Sequence, residues 1–246
     1  MTYRPMNISG AERPGRIVLV CDHATNTVPA SVNGGTLGLH QDDMDRHIAY
    51  DIGAAGVVHH LAELLDGAAV FSNFSRLVID PNRGEDDPTL LMRLYDGSII
   101  PGNRHADASE KARRVDAFYR PYHRSLAELA ARHEDPVIVS IHSFTPQLRG
   151  RAKRPWQIGV LYADDTRLSG PLLDILAREP DLTVGDNEPY SGSLAGDTMA
   201  THGLKHGRAH VLIELRNDLI STESQQLGWA VRLAPMIEQA VRSASL

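Results

Sequence analysis

Several things that would settle the class of this chain at once are missing from it. There is a single cysteine, Cys21, which leaves no internal disulfide framework and fits a reducing cytoplasm. No window approaches the roughly 20 uninterrupted apolar residues that a membrane helix requires. The opening MTYRPMNISGAERPGR has no apolar signal-peptide core. Positive charge is short as well: 25 Lys and Arg stand against 31 Asp and Glu, a formal net charge of −6. That balance favours solubility and argues against a broad nucleic-acid footprint, which needs a basic face. No Gly-x-Gly-x-x-Gly follows the first apolar run, which counts against a dinucleotide fold. There is no internal repeat, low-complexity tract or convincing linker, and 246 residues are enough for one large core. One domain spanning residues 1–246 is expected.

What the chain does have is alternation. Behind a polar lead-in at 1–14, the runs RIVLVC (16–21), AAVFSN (68–73), RLVIDPN (76–82), PVIVSIH (136–142), QIGVLYA (157–163) and HVLIELR (210–216) read as short strands. Several are apolar enough to be buried on both faces. Between them, Met44, Ile48, Ile52, Ala55, Val58, Ala62 and Leu65 recur at helical spacing, which predicts a helix over 41–65. Further helices are expected over 107–133, 168–178, 193–202 and 222–243. This order predicts an α/β fold of three layers, a mixed, largely parallel sheet with helices on both faces.

Twelve histidines invite a search for metal ligands. Three apolar strands end abruptly in ionisable groups: RIVLVC runs into Asp22-His23, PVIVSI into His142-Ser143, and HVLI into Glu214-Leu215-Arg216. In open α/β sheets ligands bind outside the carboxyl ends of strands. One strand-end histidine is as often structural as functional; three such ends converging on one edge favour a site. Glu214 follows Val211-Leu212-Ile213, and a buried carboxylate has to pair, bind metal or hold a proton. The plain structural reading pairs it with Arg216, on the same face at i+2. The functional reading makes it a general base that Arg216 orients.

A catalytic zinc takes three protein ligands. His23 and His142 leave one place, with Asp42, Asp43, Asp45, His47 and Asp51 as candidates. If the first helix packs back along the first strand, its N-terminal turn lies nearest the strand's end. That placement favours Asp45, keeps His47 as an alternative and disfavours Asp51. His59-His60 lie deeper in the helix and read as structural or surface residues. Arg76 and Arg83, around Asp80-Pro81-Asn82, have the guanidinium geometry to clamp an anionic substrate; the plain alternative for Arg76 is an ion pair with Asp80.

These residues resemble the N-formylglutamate amidohydrolase family. The likeness runs in order through Asp22-His23-Ala24, the DRHIAYDIGA segment from Asp45, Ser75 to Arg83, Ser140 to Phe144, Asn187 to Gly192, and Ile213 to Asn217. The family in turn looks like a distant relative of zinc carboxypeptidases. The resemblance implies such a fold and a zinc ion on His23, His142 and a third ligand, here Asp45. It implies Glu214 as base, with Arg76, Asn82, Arg83 and Ser143 at the substrate and Tyr190 closing over it. Where the carboxypeptidase pattern has His-x-x-Glu, this chain reads His23-Ala24-Thr25-Asn26, and an amide is a poor zinc ligand. The implied activity is hydrolysis of N-formyl-L-glutamate or a related N-acyl amino acid. The alternatives are a zinc peptidase or amidase on another amide, and a non-catalytic small-molecule-binding protein. The sequence leaves the oligomeric state open.

Overall fold

The computed structural model describes residues 3–244. In chain order these form β1 (Met6–Ser9), β2 (Gly15–Cys21), α1 (Gln41–Met44), α2 (Ala54–Leu64), β3 (Gly67–Ser72), β4 (Leu94–Tyr95), β5 (Ser98–Ile99), α3 (Ala108–Arg114), α4 (Arg120–Ala130), β6 (Val137–Phe144), β7 (Ile158–Leu161), α5 (Ser169–Leu176), β8 (Val184–Asp186), α6 (Thr198–His202), β9 (Ala209–Arg216) and α7 (Glu223–Ser243). Seven strands make one sheet in the order β1-β3-β2-β6-β9-β7-β8, and β4-β5 is a separate hairpin. β3, β2, β6 and β9 run parallel, while β1 and β7 are antiparallel to their neighbours β3 and β9. The mixed, largely parallel sheet expected from the alternation is therefore present. No helix among the described residues is long and apolar enough to cross a membrane.

Side chains alternate across a strand, and the two faces carry different cores. Leu19, Cys21, Val139, Ile141, Val211 and Ile213 pack with α2, α5 and α7. Val18, Val20, Ile138 and Leu212 pack with α4 and the segment 74–79. Truncating a fully buried member such as Leu19 to alanine costs about 2–5 kcal/mol. The same alternation puts Ser140, His142, Leu212 and Glu214 on the second face, so the polar residues share the side of α4.

The helix expected over 41–65 is broken. α1 stops at Met44 and α2 begins only at Ala54. The reason lies in the two cores: Ile48 and Ala49 belong to the second face, Ala54, Val58 and Ala62 to the first. One straight helix cannot serve both sides of a sheet. Gly53 makes the break, with φ +81°, and a Cβ there would sit 2.1 Å from the Ile220 carbonyl oxygen. RLVI (76–79) is buried but turns rather than pairing as a strand, closed by a Val78 N–H to Ser75 carbonyl bond. The helix expected over 107–133 is continuous but carries a wider π-helical turn at Val115–Tyr119 between α3 and α4. The helix expected over 193–202 shortens to α6, capped by Asp197 through the Ala200 N–H. β1, inside the polar lead-in, and the brief β4, β5 and β8 carry too little periodicity to be read in advance.

A candidate metal centre and its cleft

β2, β6 and β9 are neighbours, so their carboxyl ends meet at one edge. His142 and Glu214 are register partners across β6 and β9, and His23 follows β2 by two residues. The His23 and His142 rings lie edge to face with centroids 4.9 Å apart. A third group joins them from the turn that precedes α2. The Asp51 N–H donates to the His23 carbonyl at 2.9 Å, which carries the carboxylate under both rings. Asp51 Oδ2 lies 2.8 Å from His142 Nδ1 and 3.3 Å from His23 Nδ1, and accepts the Ser143 N–H at 3.2 Å. One ligand atom from each of His23, Asp51 and His142 falls within 4.8 Å of the others.

Behind this group stand two more carboxylates. His23 Nε2 lies 2.7 Å from Asp80 Oδ1, and His142 Nε2 lies 3.1 Å from Asp22 Oδ2. Asp22 also accepts from Tyr122, Thr198 and Ser140 hydroxyls at 2.8, 2.8 and 3.2 Å. Asp80 is gripped by Arg76 through Nε and Nη2 at 3.1 and 2.8 Å, and by the Asn82 N–H at 2.9 Å. Burial works against ionising Asp22, but the hydrogen bond and charge of His142, the charge of His23 and the Thr198 hydrogen bond outweigh it and hold the carboxyl at about 2. Burial likewise opposes Asp51, and the charges and hydrogen bonds of His23 and His142 hold it well below the ordinary range. Asp80 is held low against burial by Arg76 and His23.

This arrangement is compatible with a bound metal ion. An imidazole that donates Nε2–H to a carboxylate presents a lone pair at Nδ1. Two such lone pairs facing one carboxylate oxygen repel it unless positive charge lies between them, supplied by a ring proton or by a cation. Two imidazole nitrogens and a carboxylate oxygen suit zinc and neighbouring divalent metals.

The cleft above the group has a volume of about 140 Å³ and is bordered by Asn82, Arg83, Tyr190 and Glu214 among others. Glu214 is buried, and its Oε2 has no hydrogen-bond partner among the described residues. Burial pushes its carboxyl up to about 7, beyond what the nearby His142 charge takes back. Arg83 is steadied by Thr89 Oγ1 at 3.1 Å and the Asn82 carbonyl at 2.7 Å. Tyr190 sits on the rim, 39% exposed, with the Arg154 guanidinium 4.9 Å from its ring centre.

The structure brings His23, His142, Glu214, Arg76, Asn82, Arg83, Ser143 and Tyr190 to this cleft, whereas Asp45 and Arg216 do not line it. Asp45 lies away from the two histidines, its Oδ1 taking the amides of Asn26 and Gln41 at 3.2 and 2.8 Å. Asp51 stands beside the two rings instead, because the broken helix turns residue 51, not residue 45, under them. Arg216 does not meet Glu214: its guanidinium reaches Asp218 at 2.8 Å and the Trp156 carbonyl at 3.3 Å, beyond the strand's end. The Ser143 hydroxyl donates to the Ile52 carbonyl at 2.9 Å, so Ser143 holds the Asp51 turn in place. Arg76 borders the cleft but is committed to Asp80, with Asp51 Oδ1 at 3.4 Å. His47 also borders the cleft; burial lowers its ring to about 4, and Asp96 stands 3.5 Å away. His59 is structural, stacked on Phe71 at 4.3 Å. Sequence reasoning missed the roles of Asp22 and Asp51. For Asp22 the signal was a carboxylate beside His23 at the end of an otherwise apolar strand; Asp51 was among the ligand candidates and was disfavoured.

The sequence profile of the N-formylglutamate amidohydrolase family matches residues 15–221. The chain belongs to that family. It is thereby a hydrolase acting on amide bonds. Gene product Atu2144 from Agrobacterium tumefaciens, a solved structure, is 36% identical with a TM-score of 0.93, covering 99% of this chain and 97% of its own. The N-formylglutamate amidohydrolase from Ralstonia eutropha JMP134 shares the fold at 22% identity and a TM-score of 0.63, covering 98% and 97% of the two chains. A metallo-carboxypeptidase from Burkholderia cenocepacia is more distant, with 12% identity and a TM-score of 0.42 over 99% of this chain and 65% of that one. No curated protein matches the chain.

Proposed function

We propose that this amidohydrolase is metal-dependent and cleaves a small N-acylated amino acid, with zinc as the expected ion on His23, Asp51 and His142. The observation that carries the reading is the convergence of two Nδ1 atoms on one Asp51 oxygen, beside a buried Glu214 oxygen without a partner. A divalent cation there supplies Lewis acidity to the scissile carbonyl and lowers the pKa of water. The rest falls to the chain. Asp22 and Asp80 fix the tautomer and tilt of the two imidazoles. Asn82 and Arg83 take the substrate carboxylate, the guanidinium matching its two oxygens. Glu214 accepts a proton from the attacking water as oxygen adds to the carbonyl carbon, then passes it to the amine nitrogen as the C–N bond breaks. Tyr190, on the rim, shields the reacting groups from bulk water. With N-formyl-L-glutamate as substrate the products are formate and glutamate.

The test is metal analysis of the purified chain, followed by hydrolysis of a panel of N-formyl and N-acetyl amino acids with and without chelator. Close to one divalent ion per chain, with turnover that a chelator abolishes and added metal restores, is the expected result. Turnover indifferent to exhaustive chelation defeats the metal assignment. No turnover of any N-acyl amino acid by the loaded chain defeats the substrate assignment.

A further inference from the structure

A second cavity, of about 210 Å³, opens beside the catalytic cleft and shares Leu161, Gly192, Leu194, Asp197 and Leu212 with it. Its floor follows from strand geometry. Leu212 lies two residues before Glu214 on β9, hence on the same face and about 6.5–7 Å deeper along the strand. It pairs across the sheet with Leu161 of β7. Met199, Ala200 and Leu204, from α6 and the turn after it, close the other side. The outer wall is set by Gly192, where a Cβ would stand 2.2 Å from the Tyr162 backbone nitrogen.

The charges of this cavity matter as much as its walls. No Lys or Arg lines it among the described residues, while Asp164 and Asp197 do. His210 is its one basic group, and its Nδ1 is taken by the Arg208 carbonyl at 2.8 Å, with Asp165 at 3.7 Å. Burial already pushes Asp197 up to about 6, even with His142 and Arg83 charges near. In the main cleft, Arg76 is spent on Asp80. Arg83 lines that cleft without an ion pair among the described residues. Only one substrate carboxylate thus finds a guanidinium to itself. A second one, sent into the cavity, would lose its hydration without a partner.

The two features adjoin. Asn82 Oδ1 accepts the Thr198 N–H at 3.0 Å, which ties the carboxylate clamp to the first turn of α6, one wall of the cavity. The cavity therefore adjoins the place where the clamp would hold the carbon that bears both the carboxylate and the side chain. We propose that the substrate is an N-acyl amino acid with one carboxylate and a large apolar side chain, leucine- or phenylalanine-like, seated between Leu161, Leu212 and Met199. A cavity of roughly 150 Å³ already holds a benzene ring, so the space is sufficient. This inference rests on the hydrolase reading above and departs from glutamate as the amino acid.

The experiment compares kcat/KM of the metal-loaded chain for N-formyl-L-phenylalanine, -leucine, -glutamate and -lysine. Calorimetry on Glu214→Gln measures binding of the phenylalanine and glutamate derivatives without turnover. At least a tenfold preference for an apolar derivative is expected in both. Met199→Lys, which puts an ammonium into the cavity, is expected to move the phenylalanine-to-glutamate ratio at least tenfold toward glutamate. Glutamate turned over best by the wild-type chain overturns this inference and leaves the amidohydrolase reading standing. Lysine turned over best also overturns it, making Asp164 and Asp197 a cation pocket. No turnover of any of the four overturns the N-formyl substrate reading, and calorimetry then decides the cavity: equal or weaker binding of the phenylalanine derivative overturns the inference as well.

Discussion

His142 Nδ1 lies 2.8 Å from Asp51 Oδ2, although 91 residues separate the two in the chain. The carboxylate reaches β6 because the chain turns at Gly53 rather than running on as a helix. The consequences of that turn are open to measurement.

Replacing Asp51 removes a proposed ligand atom, whereas replacing Asp45 removes only a surface contact with Gln41 and Asn26. Asp51→Ala is expected to weaken zinc affinity more than about a hundredfold, beyond the range of outer-sphere changes. Asp45→Ala is expected to leave it near wild type. Chelator-competition titration of the two folded variants distinguishes them, and loss in Asp45→Ala alone would reverse the assignment.

Asp22 touches His142 on the side away from the proposed ion. Asp22→Asn keeps the shape but removes the charge that fixes the Nε2 proton. A loss of about 10–100-fold in metal affinity or activity is expected, read by the same titration and by kcat/KM. Wild-type values in both would leave Asp22 a packing residue.

A general base works only when ionised. Burial raises Glu214 to about 7, and a cation at the neighbouring histidines pulls that value down. The acid limb of kcat/KM is therefore expected at or below about pH 7, with activity lost as pH falls through it and Glu214 takes up a proton. Glu214→Gln is expected to lack that limb and to lose about 10²–10⁴-fold in rate. A pH–rate profile unchanged by the substitution would remove Glu214 from proton transfer.

Gly53 holds the turn through a positive φ and close contact with Ile220. Gly53→Ala adds left-handed strain of about 1–3 kcal/mol and a clash with backbone. At this chain length each kcal/mol lowers Tm by about 2–4 °C, so a drop of several degrees is expected. Metal affinity should fall too, since Asp51 rides on the same turn. Thermal melts with and without zinc measure both; stability lost with affinity intact would uncouple the turn from the site.

By itself, the sequence determined the layered α/β architecture and the edge on which the site lies. Both follow from local periodicity: apolar runs become buried strands, and a polar group that ends such a run sits at a strand's carboxyl terminus. Thus the meeting of His23, His142 and Glu214 at one edge was legible; Asn82 and Arg83, which line the same cleft, were suggested by guanidinium chemistry and the family resemblance. Only the tertiary structure decided the partners. Whether Asp45 or Asp51 faces the histidines depends on which of two cores Ile48 and Ala54 join, and helical spacing is blind to that choice. Arg216 shares a strand face with Glu214, yet its long side chain reaches Asp218 and Trp156 at the strand's end. The cavity over Leu161 and Leu212 exists because β7 pairs antiparallel to β9 and α6 packs alongside. Such long-range pairings are set by how the burial of the whole chain is best satisfied, not by any local stretch of it.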